Sequence, residues 1–527
     1  MWIIVDSFLQ LMILIMELPT LDVSEENQRE LDELRQDPEI AAIRGNLRKN
    51  RAIAEILFHS SIAYVTQGLR AEQNAKAFKN LLKPEELEER MKPEAEQLMR
   101  DHAEFAEKEG VTSEDLVKEL TSVWIYYRLT HPILQKLEDS ISRIEGAEAT
   151  VALPSGLSAL DVLVDQFTKS AGLVRVKKFN EEKGEDEEKE IQGELLQYPE
   201  WKGWETIEKI QASQIVVVGA IYGGSYAQFV KRMEQQGKRV IFMTITDFVK
   251  KGCPDGTDFI YGETSNNPIL RVAPIKKMVE ERDRLQAAQP GRRVILALDD
   301  TFTTGTTQPI QHGADFSVNS ATKYYNGRSE DMGGFISAKN GEDLAKTCGL
   351  AYGERMVDGP VMSLSVVRNF LKNIQDLYER LFLATKNARV VKKIAEKYGL
   401  DVRYIESDDI LGYADRYAAI KNPKIPKSIS NGMIVVDFKS APNARIASDA
   451  LEDGGIGKSC VSLGGVHTYY CIPSETTHSE LSVEGQKKAR IEPGMLRISC
   501  GIEEDLPAKF EEVCKRLFSR DDAMMVA

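Results

Sequence analysis

Between residues 145 and 385, short apolar runs alternate with longer stretches whose apolar positions recur at helical spacing. "QIVVVGA" (214–220) is a continuous apolar run, followed by a glycine turn and the helical "SYAQFVKRMEQQG" (225–237). "KRVIFMTI" (238–245) and "TDFIYGE" (257–263) have the same strand character, and "PIKKMVEERDRLQAA" (274–288) reads as a helix. "RRVILALDD" (292–300) and "ADFSVNSA" (314–321) complete the series. Strands separated by helices predict an α/β fold, with a mainly parallel sheet covered on both faces. Ligands of such sheets bind beyond the carboxyl ends of the strands.

The flanks differ. From about residue 22 to 120 the chain is rich in Glu, Leu, Lys and Arg at helix-compatible spacing, as in "SEENQRELDELRQ" (24–36). "TSEDLVKEL" (112–120) opens with Thr112 and Asp115 at capping-box separation. No chemistry is visible there, so residues 1–120 are read as a helical extension packed on the body or on a neighbouring subunit. Residues 121–384 form the α/β domain and 385–527 a smaller α+β domain, which contains the helix "ATKNARVVKKIAEKYG" and the strands "GMIVVDF" and "MLRISCG". The charged stretch "VRVKKFNEEKGEDEEKEIQGE" (174–194), almost without aromatics, is expected to loop into solvent.

Length and composition narrow the classes. A chain of 527 residues suggests two or three packed units. A net charge of −14 argues against a nucleic-acid surface. The six cysteines include no CxxC pair, which predicts reduced thiols in a cytoplasmic protein and neither a disulfide framework nor a metal site. The apolar start "MWIIVDSFLQLMILIMELPT" is interrupted by Asp6, lacks a basic leader and is too short without interruption to span a bilayer. It reads equally as a poorly formed signal peptide or as residues before a true start at Met16, so it does not inform the function, and no membrane partner is expected.

The chemistry gathers around Lys323. It follows an apolar strand, with the hydroxyls of Ser320 and Thr322 beside it. Asp299 ends the preceding strand candidate, so both can emerge at one sheet edge. "LPSGLSALDVLV" (153–164) sets Ser155, Gly156 and Leu157 at a glycine turn opening an apolar helix, which suits an anion. A lysine for an aldehyde, a carboxylate for a ring nitrogen and an anion cradle together describe pyridoxal 5'-phosphate chemistry.

"DDTFTTGTTQPIQHGADFSVNSATKYYNGRSEDMGG" (299–334) resembles the signature of the Cys/Met-metabolism family of pyridoxal-phosphate enzymes, the trans-sulfuration group that includes cystathionine γ-synthase, the cystathionine lyases and the sulfhydrylases. The likeness runs in order over roughly residues 120–515. It implies the seven-stranded sheet of fold-type I enzymes and assigns roles. Lys323 would bond the cofactor and shuttle protons. Asp299 would pair with the pyridinium, and Ser320, Thr322 and the backbone of Gly156 and Leu157 would hold the phosphate.

Tyr222, in "VGAIYGGSY", would stack on the ring and act as acid or base, and Asn267, in "YGETSNNPIL", would face the cofactor's phenolic oxygen. Tyr126 and Arg128 would reach the phosphate of a neighbouring subunit, making a homodimer or homotetramer. Arg497 would grip the carboxylate of a small sulfur amino acid, assisted by Ser462. Four positions depart from the family pattern: Asp300 for asparagine, Arg328 for histidine, His131 for the asparagine before proline, and His467 for the glutamate of cystathionine-processing members.

The implied activity is γ-replacement or γ-elimination on homoserine- or cystathionine-type substrates. The alternatives are a β-eliminating lyase or sulfhydrylase and, in another class, a non-catalytic binding or scaffold member. "VVVGAIYGGS" does not fit GxGxxG, which excludes a dinucleotide site.

Overall fold

The computed structural model describes residues 21, 23–59, 84–121, 131–180, 185–348, 353–407 and 413–518. The apolar start and the segment carrying Tyr126 and Arg128 lie outside the described residues.

Seven strands form the central sheet in the order β1-β10-β9-β8-β7-β5-β6. They are β1 (Ala149–Leu153), β5 (Gln214–Val218), β6 (Arg239–Met243), β7 (Thr257–Glu263), β8 (Ile295–Asp299), β9 (Phe316–Ser320) and β10 (Gly334–Ala338). The five strands from β9 to β6 are parallel, and β10 runs antiparallel to both its neighbours. The continuous apolar runs have a simple cause. Val216 and Val218 pack into a core on one face, while Ile215 and Val217 pack into a separate core on the other. Each such side chain contributes about 1.5–3 kcal/mol by leaving water, so neither face tolerates a polar alternation.

The parallel register brings the chemical residues to one edge. Glu263 stands opposite Asp299, and Asp299 opposite Val318, two residues before the end of β9. The turn after β9 then carries Lys323.

Helices Glu25–Gln36, Pro38–His59, Pro84–Asp101, Ala103–Glu109 and Ser113–Thr121 make up the described part of the amino-terminal extension. Leu31, Leu47, Ile53, Leu98 and Leu116 share one core with Leu137, Phe370 and Leu377 of the body. Arg44 pairs with Glu379 at 2.9 Å and Arg368 with Glu55 at 2.8 Å across that junction. The expected capping box forms: Thr112 N donates to Asp115 Oδ2 at 2.8 Å, and Asp115 N to Thr112 Oγ1 at 3.2 Å.

The charged insertion is not a loop. It folds as a three-stranded antiparallel sheet of β2 (Leu173–Asn180), β3 (Glu185–Gln192) and β4 (Glu205–Lys209), with β2 in the centre. Arg175 bridges Glu190 at 3.1 Å and Glu208 at 2.7 Å, and Lys177 meets Asp186 at 3.2 Å. Lys189 sits 4.8 Å above the ring of Trp204, beside a small core of Val174, Val176 and Ile191. The charges that suggested a solvated loop are cross-strand partners.

The carboxyl-terminal unit is a five-stranded sheet in the order β11-β12-β15-β14-β13. Its strands are β11 (Asp401–Tyr404), β12 (Met433–Asp437), β13 (Lys458–Ser459), β14 (Tyr469–Cys471) and β15 (Met495–Ser499). Helix Leu377–Lys397 runs without a break across residue 385, so the two domains share an element there.

Candidate active site

Lys323 is held by the turn that follows β9, its N–H donating to Ser320 O at 3.2 Å. Its Nζ donates to Ser462 Oγ at 3.2 Å, and no carboxylate lies within ion-pair distance of it among the described residues. Burial, with the Arg497 guanidinium nearby, lowers its pKa to about 8. A half-buried lysine with no carboxylate partner among the described residues is costly for a structural residue, and this one presents a partly neutral amine at ordinary pH.

Asp299, at the end of β8, accepts from Thr301 N at 2.9 Å and from the Tyr261 hydroxyl at 3.3 Å. Burial raises its pKa. No basic side chain is bonded to it among the described residues, which leaves its negative charge for a cationic ligand atom.

The anion cradle follows from two close approaches. Ser155 caps helix Gly156–Phe167, its Oγ accepting from Ser158 N at 3.0 Å. A Cβ on Gly156 would stand 2.8 Å from Ser320 Cβ, and one on Gly334 would stand 2.1 Å from Ser155 O. Glycine therefore lets the helix start press against β9 and β10. Leu157 remains exposed. Ser320 Oγ faces this helix start, whereas the Thr322 hydroxyl is tied to Gly333, 3.2 Å from its N and 3.3 Å from its O.

Tyr222 precedes helix Gly223–Ala227 with 41% of its surface exposed, so a ring face is open. Its N–H donates to Glu263 Oε1 at 2.5 Å, and Glu263 Oε2 accepts from Asn267 N at 2.7 Å. One buried carboxyl thus fixes both loops. Burial, with Asp299 nearby, raises its pKa. Asn267 Oδ1 accepts from Arg497 Nη1 at 3.0 Å, leaving its Nδ2 for another group.

Arg497, 2% exposed, reaches the cleft from β15 and donates to Val461 O at 2.7 Å and Ser462 O at 3.4 Å. No carboxylate stands within ion-pair distance of it among the described residues. His478 joins the carboxyl-terminal unit to the tyrosine turn, its Nε2 lying 3.0 Å from Ile221 O; burial lowers its pKa to about 4, so it is neutral and donates.

The structure thus brings Lys323, Asp299, Ser320, Gly156, Leu157, Tyr222, Asn267, Arg497 and Ser462 together at the carboxyl ends of the parallel strands, with Thr322 beside them. Glu263, Tyr261 and Thr301 were missed by sequence reasoning. Glu263 stood inside the quoted "YGETSNNPIL", but its role depends on a loop 41 residues earlier. Thr301 also accepts from Ser320 N at 2.8 Å, locking β9 to the Asp299 turn.

The four departures separate. Asp300 is fully enclosed and takes the hydroxyls of Thr303 and Thr307 at 2.5 Å each. Arg328 pairs with Asp376, which also holds Arg380 at 2.8 Å. His131 caps helix Pro132–Glu145, its Nδ1 accepting from Ile133 N at 3.3 Å. His467 is exposed, 3.9 Å from Glu503.

A countercharge-free lysine, an unpaired-by-cation aspartate and a glycine-pressed helix start are the donor set that pyridoxal 5'-phosphate requires, and the residues fit the group. Over residues 207–513 the sequence matches the model of the family described as Cys/Met metabolism PLP-dependent enzyme. The chain belongs to this family.

Members of this pyridoxal-phosphate family are recognisable among its relatives. An O-succinylhomoserine sulfhydrylase of Pseudomonas aeruginosa is 23% identical over 384 residues, covering 72% of this chain and 80% of that one. The cystathionine beta-lyase MetC of Bacillus subtilis is 27% identical over 312 residues, with 58% and 75% covered. A cystathionine gamma-lyase of Saccharomyces cerevisiae is 26% identical over 299 residues, with 56% and 72% covered. The fold is that of a solved cystathionine gamma synthase from Xanthomonas oryzae, at a TM-score of 0.58 and 21% identity, covering 74% of this chain and 87% of that one. Among the described residues no helix is long and apolar enough to cross a membrane.

Proposed function

We propose that this family member catalyses γ-replacement or γ-elimination on a homoserine- or cystathionine-type substrate. The reading is carried by one observation: half-buried Lys323 contacts Ser462 beside Arg497, and among the described residues neither has a carboxylate partner. When bound, pyridoxal 5'-phosphate supplies an aldehyde for the amino group and a ring that draws off negative charge.

The protein's own groups do the rest. Asp299 holds the proton on the ring nitrogen. Arg497 grips the α-carboxylate, for which its planar guanidinium is suited, while Asn267 keeps that guanidinium in place. Lys323, with its lowered pKa, removes the Cα proton and returns protons to the carbon chain. Ser462 orients the lysine. Tyr222 covers the ring and passes a proton to the departing group. Gly156, Leu157, Ser320 and Thr322 hold the phosphate. The segment carrying Tyr126 and Arg128 is read as completing a neighbour's phosphate site, which makes a dimer the smallest active form in the cytoplasm.

A second reading, a sulfhydrylase, is favoured by His467, exposed where cystathionine-processing members carry glutamate. Products separate the readings. γ-Elimination of cystathionine yields cysteine, 2-oxobutanoate and ammonia, whereas β-elimination yields homocysteine, pyruvate and ammonia. With an O-acylated homoserine, preference for sulfide, giving homocysteine, marks a sulfhydrylase, and preference for cysteine, giving cystathionine, marks γ-replacement of the first reading.

The experiment is the visible absorption spectrum of the purified protein and of Lys323→Ala, before and after cystathionine is added. A lysine-dependent band that changes with cystathionine, followed by 2-oxobutanoate, is expected. A wild type that stays colourless with added pyridoxal 5'-phosphate would sink the reading.

A further inference from the structure

Cys460 and Cys471 are eleven residues apart and form no sequence motif, yet they are neighbours. Strands β13 and β14 are parallel, with Lys458 opposite Tyr469 and Ser459 opposite Tyr470. Cys460 N donates to Tyr470 O at 2.9 Å as part of the Ser459–Tyr470 pair. Continuing that register by one residue sets Cys460 beside Cys471, and both thiols lie near enough to Lys323 to act on its charge. Facing residues on adjacent strands are about 4.8 Å apart, within the roughly 4.4–6.8 Å that a disulfide bridges.

Their face of the sheet is fixed by their neighbours. Cys471 is paired with Arg497 across β14 and β15, while Tyr470 points into the opposite core. Cys460, Cys471 and Arg497 therefore form a row turned towards the cleft. Cys460 Sγ accepts from Ser462 N at 3.4 Å, and Ser462 Oγ in turn receives Lys323 Nζ at 3.2 Å. Cys460 is half-buried and Cys471 only 2% exposed, and both thiols are free. Small reagents reach the first before the second.

We propose that Cys460 and Cys471 form a reversible disulfide that controls the Val461–Ser462 backbone on which Arg497 and Lys323 rest. The oxidant is a small-molecule disulfide. The Cys460 thiolate attacks one of its sulfurs, forming a mixed disulfide and releasing one thiolate. The Cys471 thiolate then attacks Cys460 Sγ, closing the protein disulfide and releasing the second. The two thiol protons end on the two released thiolates, so the protein loses two electrons and the reagent gains them.

Closing the bond ties the end of β13 to β14 and displaces the carbonyls of Val461 and Ser462, which Arg497 now holds at 2.7 and 3.4 Å. Loss of one charged hydrogen bond of the clamp raises KM for the amino acid at least about tenfold. That effect rests on Arg497 as the carboxylate clamp; the disulfide itself does not.

The holoenzyme is incubated with oxidised glutathione, its remaining thiols are alkylated under denaturing conditions, and peptides are mapped by mass. The expected result is a cross-link between the Cys460 and Cys471 peptides, with Cys253, Cys348, Cys500 and Cys514 alkylated, and full reversal by a dithiol. Cys471→Ser, or Cys471→Ala should the first fail to fold, retains glutathione on Cys460. The disulfide is overturned if wild type alkylates at both positions, or keeps glutathione on Cys460 with Cys471 alkylated. A cross-link with unchanged KM overturns the control of Arg497 and leaves the bond standing.

Discussion

Replacing Asp300 by asparagine removes a carboxyl that is fully enclosed one residue after Asp299. Its Oδ1 takes both threonine hydroxyls, while its Oδ2 is buried beside the Thr264 hydroxyl. Burial raises its pKa from 3.8 to about 6. The folded state therefore holds this proton more tightly than the unfolded chain does. Stability from this group is fully present below the unfolded pKa and is lost as pH rises through the folded one. A rise of about two units is worth about 3 kcal/mol at neutral pH.

Asparagine keeps the shape and one acceptor, carries no charge, and offers an amide to Thr264. Glu145 moves the same way. Burial and the charge of Asp300 push its pKa up to about 8, so loss of that charge relieves it as well. Asp300→Asn should thus stabilise the cofactor-free protein by about 1–3 kcal/mol at pH 7.5 and leave it nearly unchanged at pH 4. The assay is the thermal midpoint by circular dichroism at both pH values and one scan rate. For a chain of this size the gap amounts to a few degrees. An equal gap at both pH values, or a variant less stable at pH 7.5, would refute the account of Asp300 as a strained buried charge.

Two further outcomes follow from the site. The rate at which cofactor-free protein takes up pyridoxal 5'-phosphate on Lys323 should rise with the deprotonated fraction up to about pH 8 and then level; a flat profile from pH 6.5 to 9 would contradict the lowered pKa. Gly334→Ala puts a methyl 2.1 Å from Ser155 O, a backbone atom that cannot turn away. It should cost about 1–3 kcal/mol and weaken cofactor affinity by opening the helix start, and wild-type values in equilibrium dialysis would reject the cradle.

Much of this was legible in the residues. Apolar runs buried on both faces announce a parallel sheet because each strand must feed two cores, as Ile215 to Val218 do. Lys323, Asp299 and the Ser155–Leu157 turn were legible because each is a local exception: a lysine after an apolar strand, an acid at a strand end, a glycine at a helix start. Local signals also misled. The charges of residues 174–194 pair across strands, which a linear reading cannot distinguish from solvation. Antiparallel β10 gave no signal of direction, since apolar alternation is the same read either way.

Residue types and their spacing along the chain therefore determined the fold class, the helical extension, the cofactor chemistry and most of the cleft's side chains. The tertiary structure alone decided which groups lack a counter-ion among the described residues, that Glu263 serves two loops, that Asp300 is enclosed, and that the strand of Cys471 runs beside that leading to Cys460. The reason is physical. Hydrophobic periodicity is a property of consecutive residues, whereas burial of charge and register between strands depend on which distant segments meet.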